Sequence, residues 1–250
     1  MPRFFLPDSF QYQKGDPMPE EISLSGEDAF HLSVSLRARV GDEVLLCTRD
    51  GFLFSCKIFE ISGGKKNPMV LLTPSSVKES EGESPCRIKL FQGMPKGKKT
   101  DSIIQKCTEL GVSEIIFVYT DHAVPTPSDD EKKIGRFEKI AEEACKQCGR
   151  GRVPKIRVLE SLDEAIPQMK ESEMLFACYE NEDGKGLKDL LHEDFSTAAF
   201  FIGPEGGISP REVDLLKENK IPTVSLGERI LRTETAGSTV LSMFLYEKEL

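Results

Sequence analysis

The sequence lacks the features of membrane-spanning and secreted proteins. It contains no apolar run of about 18 residues, the shortest length expected of a helix that crosses a bilayer. The N-terminal stretch MPRFFLPDSF has no apolar core of the kind that a signal peptide requires. We therefore expect a cytoplasmic protein.

Cysteine and histidine are too scattered to indicate a disulfide framework or a metal site. The seven cysteines are an odd number, and the close pair Cys145 and Cys148 has no second pair and no nearby histidine to complete a zinc site. The three histidines, His31, His122 and His192, do not cluster. The sequence therefore predicts reduced thiols and no bound metal.

Two glycine-rich nucleotide-binding motifs are also missing. The phosphate loop G-x-x-x-x-G-K-[ST] occurs nowhere, and the most glycine-rich stretch, FIGPEGGISPRE (201–212), lacks the spacing G-x-G-x-x-G. The stretch GMPKGKKT (93–100) is one residue short of the phosphate-loop spacing. We interpret it as a basic patch.

Basic residues are in the minority but are locally concentrated. The formal net charge of −9 argues against indiscriminate binding to nucleic acid, because phosphate contacts need lysine and arginine. Two stretches, 87–107 and 145–157, are nevertheless strongly basic. Such patches are compatible with a selective RNA partner, although they are more often solvated faces.

The pattern of apolar residues changes once along the chain. Residues 1–73 contain short apolar runs separated by turn signals, which is typical of a small β-barrel or sandwich. The polar stretch PSSVKESEGESPC (74–86) is the best candidate for a linker. In 87–250, nearly continuous apolar strands alternate with amphipathic helices. This alternation predicts an α/β fold with a parallel sheet covered on both faces.

Two polar loops follow strands of this expected sheet. The first contains GPEGG (203–207) after the strand AAFFIG, and Ser209, Pro210 and Glu212 then have the spacing of a helix cap. Because ligands of open α/β sheets bind beyond the carboxyl ends of the strands, the loop is either a binding site or a tight turn. The second loop, SLGERILRTETAGSTVL (225–241), carries a dense polar set. The two loops could hold one ligand between them.

The sequences of these loops resemble one enzyme class. GPEGG followed by LGERILRTETA resembles the SPOUT methyltransferases and, more closely, the RsmE family, which makes 3-methyluridine in bacterial 16S ribosomal RNA from S-adenosylmethionine. The stretches HLSVSLRARVGD, QGMPKGKKTDSIIQKCTELGV and EEACKQCGRGRVP extend the resemblance over the whole chain. His122 and Cys148 depart from the family pattern, which usually has arginine and serine there.

The resemblance implies a domain organisation and an assembly. Residues 1–73 would form a PUA-like β-barrel that binds RNA, 74–86 a linker, and 87–250 a SPOUT α/β domain with a C-terminal trefoil knot and a mostly parallel sheet. The enzyme would be a homodimer. Its substrate would be 16S ribosomal RNA in the small ribosomal subunit, and neither DNA nor a membrane would be a partner.

The resemblance also implies roles for individual residues. Arg232 would stabilise the uracil anion or hold the phosphate of the target nucleotide. Glu234 would accept a proton or, alternatively, pair with Arg232 or accept backbone N–H bonds. The residues that would bind S-adenosylmethionine are Gly203, Pro204, Glu205, Gly206, Gly207, Leu226, Gly227, Ile230, Leu231 and Thr235. The RNA contacts would be Arg3, Lys96, Lys98, Lys99, Arg150 and Arg152.

Two other functions stay open at this point. One is a different SPOUT reaction, such as methylation of the ribose 2′-hydroxyl. The other is a non-catalytic RNA-binding factor for ribosome assembly, which would have no need of a cofactor pocket.

Overall fold

Short strands with alternating apolar residues build the first of two structural units. The computed structural model describes residues 1–126, 130–180, 186–191 and 194–248, and His192 lies outside them. The first unit contains Met1–Glu83 and Lys146–Arg152, and the second contains Ser84–Cys145 and Val153–Leu250.

The first unit is a mostly antiparallel sheet of five strands in the order β1-β3-β4-β5-β2. Only the pair β1 and β3 is parallel. A short helix, α1 (Gly26–Phe30), continues into a π-helical turn. The strands are β1 (Arg3–Phe5), β2 (Ile22–Leu24), β3 (Glu43–Cys47), β4 (Phe52–Ser62) and β5 (Met69–Glu79).

The predicted linker at 74–86 is wrong over its first half. Strand β5 continues to Glu79, and residues 73–79 pair with the start of β4. This half of the strand is polar because most of its side chains are exposed, whereas Val70 and Leu72 at the other end are buried. Composition alone does not distinguish an exposed strand from a linker.

A segment from much later in the chain completes the first unit. The buried Arg150 guanidinium donates to Glu83 Oε2 at 3.0 Å, and Glu83 Oε1 accepts the backbone N–H groups of Gly151 and Arg152, each at 2.9 Å. The prediction that Arg150 contacts RNA phosphate is therefore wrong, because this arginine neutralises a carboxylate inside the fold. Its carbonyl oxygen also accepts a bond from Arg3 Nη1 at 3.2 Å.

The second unit contains a six-stranded sheet in the order β11-β9-β10-β6-β7-β8, in which every pair is parallel. The prediction of a parallel α/β sheet is confirmed. The strands are β6 (Arg87–Gly93), β7 (Glu114–Val118), β8 (Lys155–Leu159), β9 (Met174–Cys178), β10 (Thr197–Ile202) and β11 (Thr223–Val224).

Helices cover this sheet with two separate apolar cores. Leu90 and Phe200 point into one core, and their chain neighbours Phe91 and Phe201 point into the other, because successive side chains alternate across a strand. The helices are α2 (Lys99–Glu109), α3 (Asp130–Cys148), α4 (Leu162–Met169), α5 (Lys188–Leu191), α6 (Pro210–Glu218) and α7 (Thr233–Lys248).

Helices α2, α3 and α7 contribute to the first core, and helices α4 and α6 contribute to the second. None of the helices in the described part of the chain is long and apolar enough to cross a membrane. The seven cysteines all lie in the described residues, and none of them forms a disulfide. The trefoil knot and the homodimer stay predictions.

Candidate active site

Three loops meet at one edge of the second unit because the strands that precede them are neighbours. Cys178 at the end of β9 pairs with Ile202 at the end of β10 and with Val224 at the end of β11. The loops that follow these ends enclose a pocket of about 470 Å³. It is lined by Cys178, Tyr179, Glu180, Gly186, Ile202, Gly203, Pro204, Gly207, Ser225, Leu226, Gly227, Glu228, Arg229, Ile230, Leu231, Thr233 and Ala236.

The glycine loop, Gly203–Gly207, is a tight turn that forms one wall of this strand-end pocket. The Gly207 N–H donates to the Pro204 carbonyl at 3.0 Å, and Gly207 has a φ of 71°. A Cβ at Gly207 would lie 2.5 Å from Glu180 Oε1. Glycine is therefore required there both by the backbone conformation and by the neighbouring carboxylate.

Not every residue of the glycine loop faces the pocket. Gly203, Pro204 and Gly207 line it, whereas Gly206 and Glu205 do not. A Cβ at Gly206 would lie 2.8 Å from the Cβ of His122. The loop therefore has a pocket face and a packed face.

A helix begins directly after the glycine loop, as predicted. Ser209 Oγ accepts the Glu212 N–H at 3.2 Å, and Glu212 Oε2 accepts the Ser209 N–H at 3.0 Å. This reciprocal capping box fixes the first turn of α6, with Pro210 as the first helical residue. The predicted helix start is therefore confirmed, and it lies directly after residues that line the pocket.

A buried hydrogen-bond network ties the pocket wall to the start of α7. Gln92, at the end of β6, donates from Nε2 to Thr233 Oγ1 at 2.8 Å, and Thr233 Oγ1 donates to the Gly203 carbonyl at 2.7 Å. Gln92 is fully buried. Sequence reasoning missed both side chains, although a glutamine at the carboxyl end of the apolar strand RIKLFQG is a signal that could have been used.

Lys99 joins the glycine loop to α7 by two ion pairs. Its ammonium nitrogen lies 3.0 Å from Glu205 Oε1 and 3.5 Å from Glu234 Oε2. Hydrogen bonding to Glu205 raises the pKa of Lys99 above its usual range, although burial opposes this. The prediction that Glu234 pairs with Arg232 is wrong, since its ionic partner is Lys99.

Glu205 is held as a carboxylate away from the pocket. The Lys96 N–H donates to its Oε1 at 3.1 Å. Burial raises the pKa of Glu205, but hydrogen bonds from its own backbone N–H, from Lys99 and from the Lys96 N–H outweigh that effect and bring the pKa below its usual range. Lys96 and Lys98 remain the exposed lysines of this basic patch.

Residues 226–231 form another wall of the pocket. Leu226, Gly227, Ile230 and Leu231, the residues of this segment predicted to bind the cofactor, all line the pocket, and 81% of Ile230 is exposed. Thr235 does not line the pocket, and its N–H donates to the Arg232 carbonyl at 2.8 Å.

The Arg232 side chain is exposed beside this wall. Among the described residues, its guanidinium makes no ion pair or side-chain hydrogen bond. The arrangement therefore places an available cation at the rim of a partly apolar pocket, between Leu231 and Thr233, which both line it.

Comparisons with known proteins identify the architecture. The RNA methyltransferase domain family matches residues 82–245, and the RNA methyltransferase PUA domain matches residues 24–66. Ribosomal RNA small subunit methyltransferase E of Bacillus subtilis (strain 168) is 32% identical over 259 residues, which cover 100% of this chain and 98% of the relative. The chain belongs to the methyltransferase E family.

Two similar solved structures contain the cofactor. A methyltransferase from Legionella pneumophila with bound S-adenosylmethionine has a TM-score of 0.83 at 32% identity, covering 98% of this chain and 96% of its own. Methyltransferase E from Neisseria gonorrhoeae, bound to S-adenosylmethionine, has a TM-score of 0.81 at 27% identity, covering 98% and 97%. This member of the methyltransferase E family is an S-adenosylmethionine-dependent methyltransferase.

Proposed function

We propose that the protein methylates ring N3 of a specific uridine in 16S ribosomal RNA of the small ribosomal subunit, in the cytoplasm. The observation that carries the proposal is the strand-end pocket, built from the GPEGG and LGERILRTETA segments in a chain similar over its full length to methyltransferase E. The names of the relatives support a ribosomal RNA substrate. The choice of N3 rests on the resemblance of the two segments to the uridine-N3 enzymes.

The chemical character of the strand-end pocket fits S-adenosylmethionine. Ile202, Leu226 and Leu231 provide apolar surface for an adenine ring, and the lining glycines leave backbone groups accessible. Glu180 and Glu228 add two carboxylates, which suit a ligand with a positively charged sulfonium and ammonium. When bound, the cofactor supplies an electrophilic methyl group.

Not all of the predicted cofactor residues keep that role. We propose that Gly203, Pro204, Gly207, Leu226, Gly227, Ile230 and Leu231 contact S-adenosylmethionine, because each lines the pocket. Glu205, Gly206 and Thr235 support the walls instead, since none of the three lines the pocket.

Arg232 is the residue we assign to the target base. Uridine N3 carries a weakly acidic proton, so that the base becomes an anion before it accepts a methyl group. A guanidinium stabilises such an anion or holds the phosphate of the target nucleotide. The exposed Arg232 is suited to either task because no ion pair within the described residues occupies it.

Glu234 has a structural role in this proposal. It lies in the first turn of α7, where the helix dipole favours a negative charge, and Lys99 lies 3.5 Å away. Both interactions hold the Glu234 side chain in place. We therefore assign Glu234 to holding Lys99 and the glycine loop, and not to accepting the proton from uridine.

Basic side chains on the two units, all exposed except the half-buried Arg3, are the proposed RNA contacts. Lys96 and Lys98 lie in the second unit, and Arg3 and Arg152 lie in the first. The Arg152 Nε donates to the Asp50 carbonyl at 3.0 Å, which orients its side chain. Because Lys99 is engaged with two carboxylates, we omit it from this set.

We also propose that the protein is a homodimer. A second cleft of about 610 Å³ lies along α7 and includes Leu191, Met243 and Tyr246. Tyr246 is 74% exposed, and an aromatic side chain beside an apolar cleft is typical of protein interfaces. Light scattering of the purified protein should give twice the chain mass, and a monomer would reject this part of the proposal.

The test of the function is nucleoside mass spectrometry after incubation of the purified protein with S-adenosylmethionine and unmodified 16S ribosomal RNA or small subunits. We expect 3-methyluridine. A ribose-methylated product would favour the other SPOUT reaction, and no product with either substrate would favour the assembly factor. Arg232→Ala should lower the rate by at least a hundredfold, whereas Arg157→Ala, on the edge strand β8, should leave it unchanged.

A further inference from the structure

The loop after β7 is hydrogen-bonded to the start of α6, the helix that follows the glycine loop. The Asp121 carboxylate accepts two hydrogen bonds from Arg211, one from Nε to Oδ2 at 2.9 Å and one from Nη2 to Oδ1 at 2.8 Å. The Ser209 hydroxyl donates to the same Oδ2 at 2.6 Å. Asp121 therefore holds both the cap residue and the first turn of α6. Bidentate pairing with arginine constrains direction as well as distance.

A buried carboxylate makes a second connection between the two loops. Glu212 is fully buried, and its Oε1 accepts the Asp121 N–H at 3.0 Å while its Oε2 accepts the Ser209 N–H at 3.0 Å. A buried polar group is stable only when it is hydrogen-bonded. Displacement of either loop would leave a buried oxygen of Glu212 without its hydrogen bond.

His122, the residue after Asp121, contacts the glycine loop directly. A Cβ at Gly206 would lie 2.8 Å from His122 Cβ, so that His122 contacts Gly206 directly. Asp121 and His122 thus contact positions on either side of Gly207, which lines the pocket. Strand β6 lies between β7 and β10 in the sheet, so that these contacts are not a consequence of strand pairing.

Asp121 and the residues bonded to it, Ser209, Arg211 and Glu212, form what we call the brace of the glycine loop. Asp121 keeps its negative charge at physiological pH. Hydrogen bonds from Arg211, and then from Ser209, lower the pKa of Asp121 to about 2. The groups that face it are Arg211, His122 and Glu212, and Asp163 lies on the far side of Arg211 at 3.6 Å. The brace is therefore a fixed support and not a pH switch.

We propose that Asp121 is a positioning residue that pre-organises the glycine loop for S-adenosylmethionine. It does not line the pocket, and it acts through Ser209, Arg211 and Glu212. The proposal rests on the cofactor site proposed above. Support from residues behind a binding loop contributes to affinity because the loop then loses less freedom on binding.

The first test is calorimetry with S-adenosylmethionine on the full-length protein, below the unfolding temperature of each variant. Asp121→Asn should raise the dissociation constant by about tenfold. Arg211→Lys, which keeps the charge but loses the fork, should have an effect of similar size. In RNA methylation, KM for the cofactor should rise while kcat changes by less than about twofold.

The matched control is Asp163→Asn. Asp163 is the other carboxylate near Arg211. The side chains of Asp163 and Arg211 are each 58% exposed. Its removal should leave the affinity unchanged. If Asp163→Asn weakens binding as much as Asp121→Asn does, the effect is one of general charge and the proposal is overturned.

The second test needs no ligand. In Asp121→Asn, hydrogen exchange at the Gly207 amide should become faster, while exchange in β10 and β6 stays as in the wild type. Unchanged exchange and unchanged affinity would overturn the proposal, even with a lowered melting temperature, because Asp121 would then be only a stabilising residue. The wild type could fail to bind S-adenosylmethionine while exchange at the Gly207 amide still becomes faster in Asp121→Asn. That result would reject the proposed cofactor site but would support Asp121 as the residue that positions the glycine loop.

Discussion

Replacing Thr233 with valine tests the network that holds the pocket wall. Valine has nearly the same shape as threonine but no hydroxyl group. Thr233 is 6% exposed, and its hydroxyl both accepts a hydrogen bond from Gln92 and donates one to Gly203. The substitution therefore removes one buried and one half-buried hydrogen bond without creating a large cavity.

The two lost bonds do not cost the same. The Gln92 amide keeps a second acceptor, the Gly93 carbonyl at 3.1 Å, so its loss is partial. The Gly203 carbonyl loses a bond of 2.7 Å, but it is only half-buried at the pocket wall, so this loss costs about 0.5–1.5 kcal/mol. With about 1–1.5 kcal/mol for the buried Gln92 amide, we expect a total of about 1.5–3 kcal/mol, or a melting temperature lower by about 4–9 °C for a unit of this size.

The measurement is thermal and urea unfolding, together with the affinity for S-adenosylmethionine. Thr233→Ser is the matched control, because it keeps the hydroxyl and loses one methyl group, which costs about 1 kcal/mol. Valine should also weaken cofactor binding, since Gly203 lines the pocket. Our reasoning is refuted if the valine variant is as stable as the serine variant.

Three further predictions test other parts of the structure. Glu83→Gln should destabilise the first unit by about 3–5 kcal/mol in urea unfolding, because it removes the carboxylate that pairs with the Arg150 guanidinium, whose side chain is only 5% exposed; a loss below 1 kcal/mol would contradict this. Gly93→Ala should destabilise the protein because its Cβ would lie 2.5 Å from the glycine loop, whereas Gly135→Ala, in open space on α3, should be neutral or stabilising by about 0.5–1 kcal/mol. Asp121 has a pKa lowered from 3.8 to about 2, so its stabilisation is present above pH 4 and lost as the pH falls through 2. The difference in melting temperature between wild type and Asp121→Asn should therefore shrink over this range, and a constant difference would refute the assignment.

The sequence predicted the elements of the fold well because their signals are local. The alternation of apolar strands and amphipathic helices in 87–250 predicted the parallel sheet, and the Ser209 cap is formed as expected. Strand β5 was the exception, since its polar half is exposed and has the composition of a linker.

The site was predicted less completely because its side chains are paired across long distances in the chain. Arg150 appeared to be a free cation, but its partner Glu83 is 67 residues away in the sequence. Lys99 likewise pairs with Glu234, which no local pattern associates with it. Gln92 differs from both, because a polar residue at a strand end is visible in the sequence before any partner is known.

The contribution of Lys146–Arg152 to the first unit has a consequence for synthesis on the ribosome. The ion pair between Glu83 and Arg150 cannot form until Arg150 has been synthesised, about 70 residues after Glu83. At ordinary rates of translation this delay is roughly 4–14 s. During that interval the N-terminal sheet carries an unpaired carboxylate. A fragment that ends at Glu83 would lack the partners of this carboxylate altogether. An expression plasmid for the isolated N-terminal unit should therefore encode 146–152 as an appended segment.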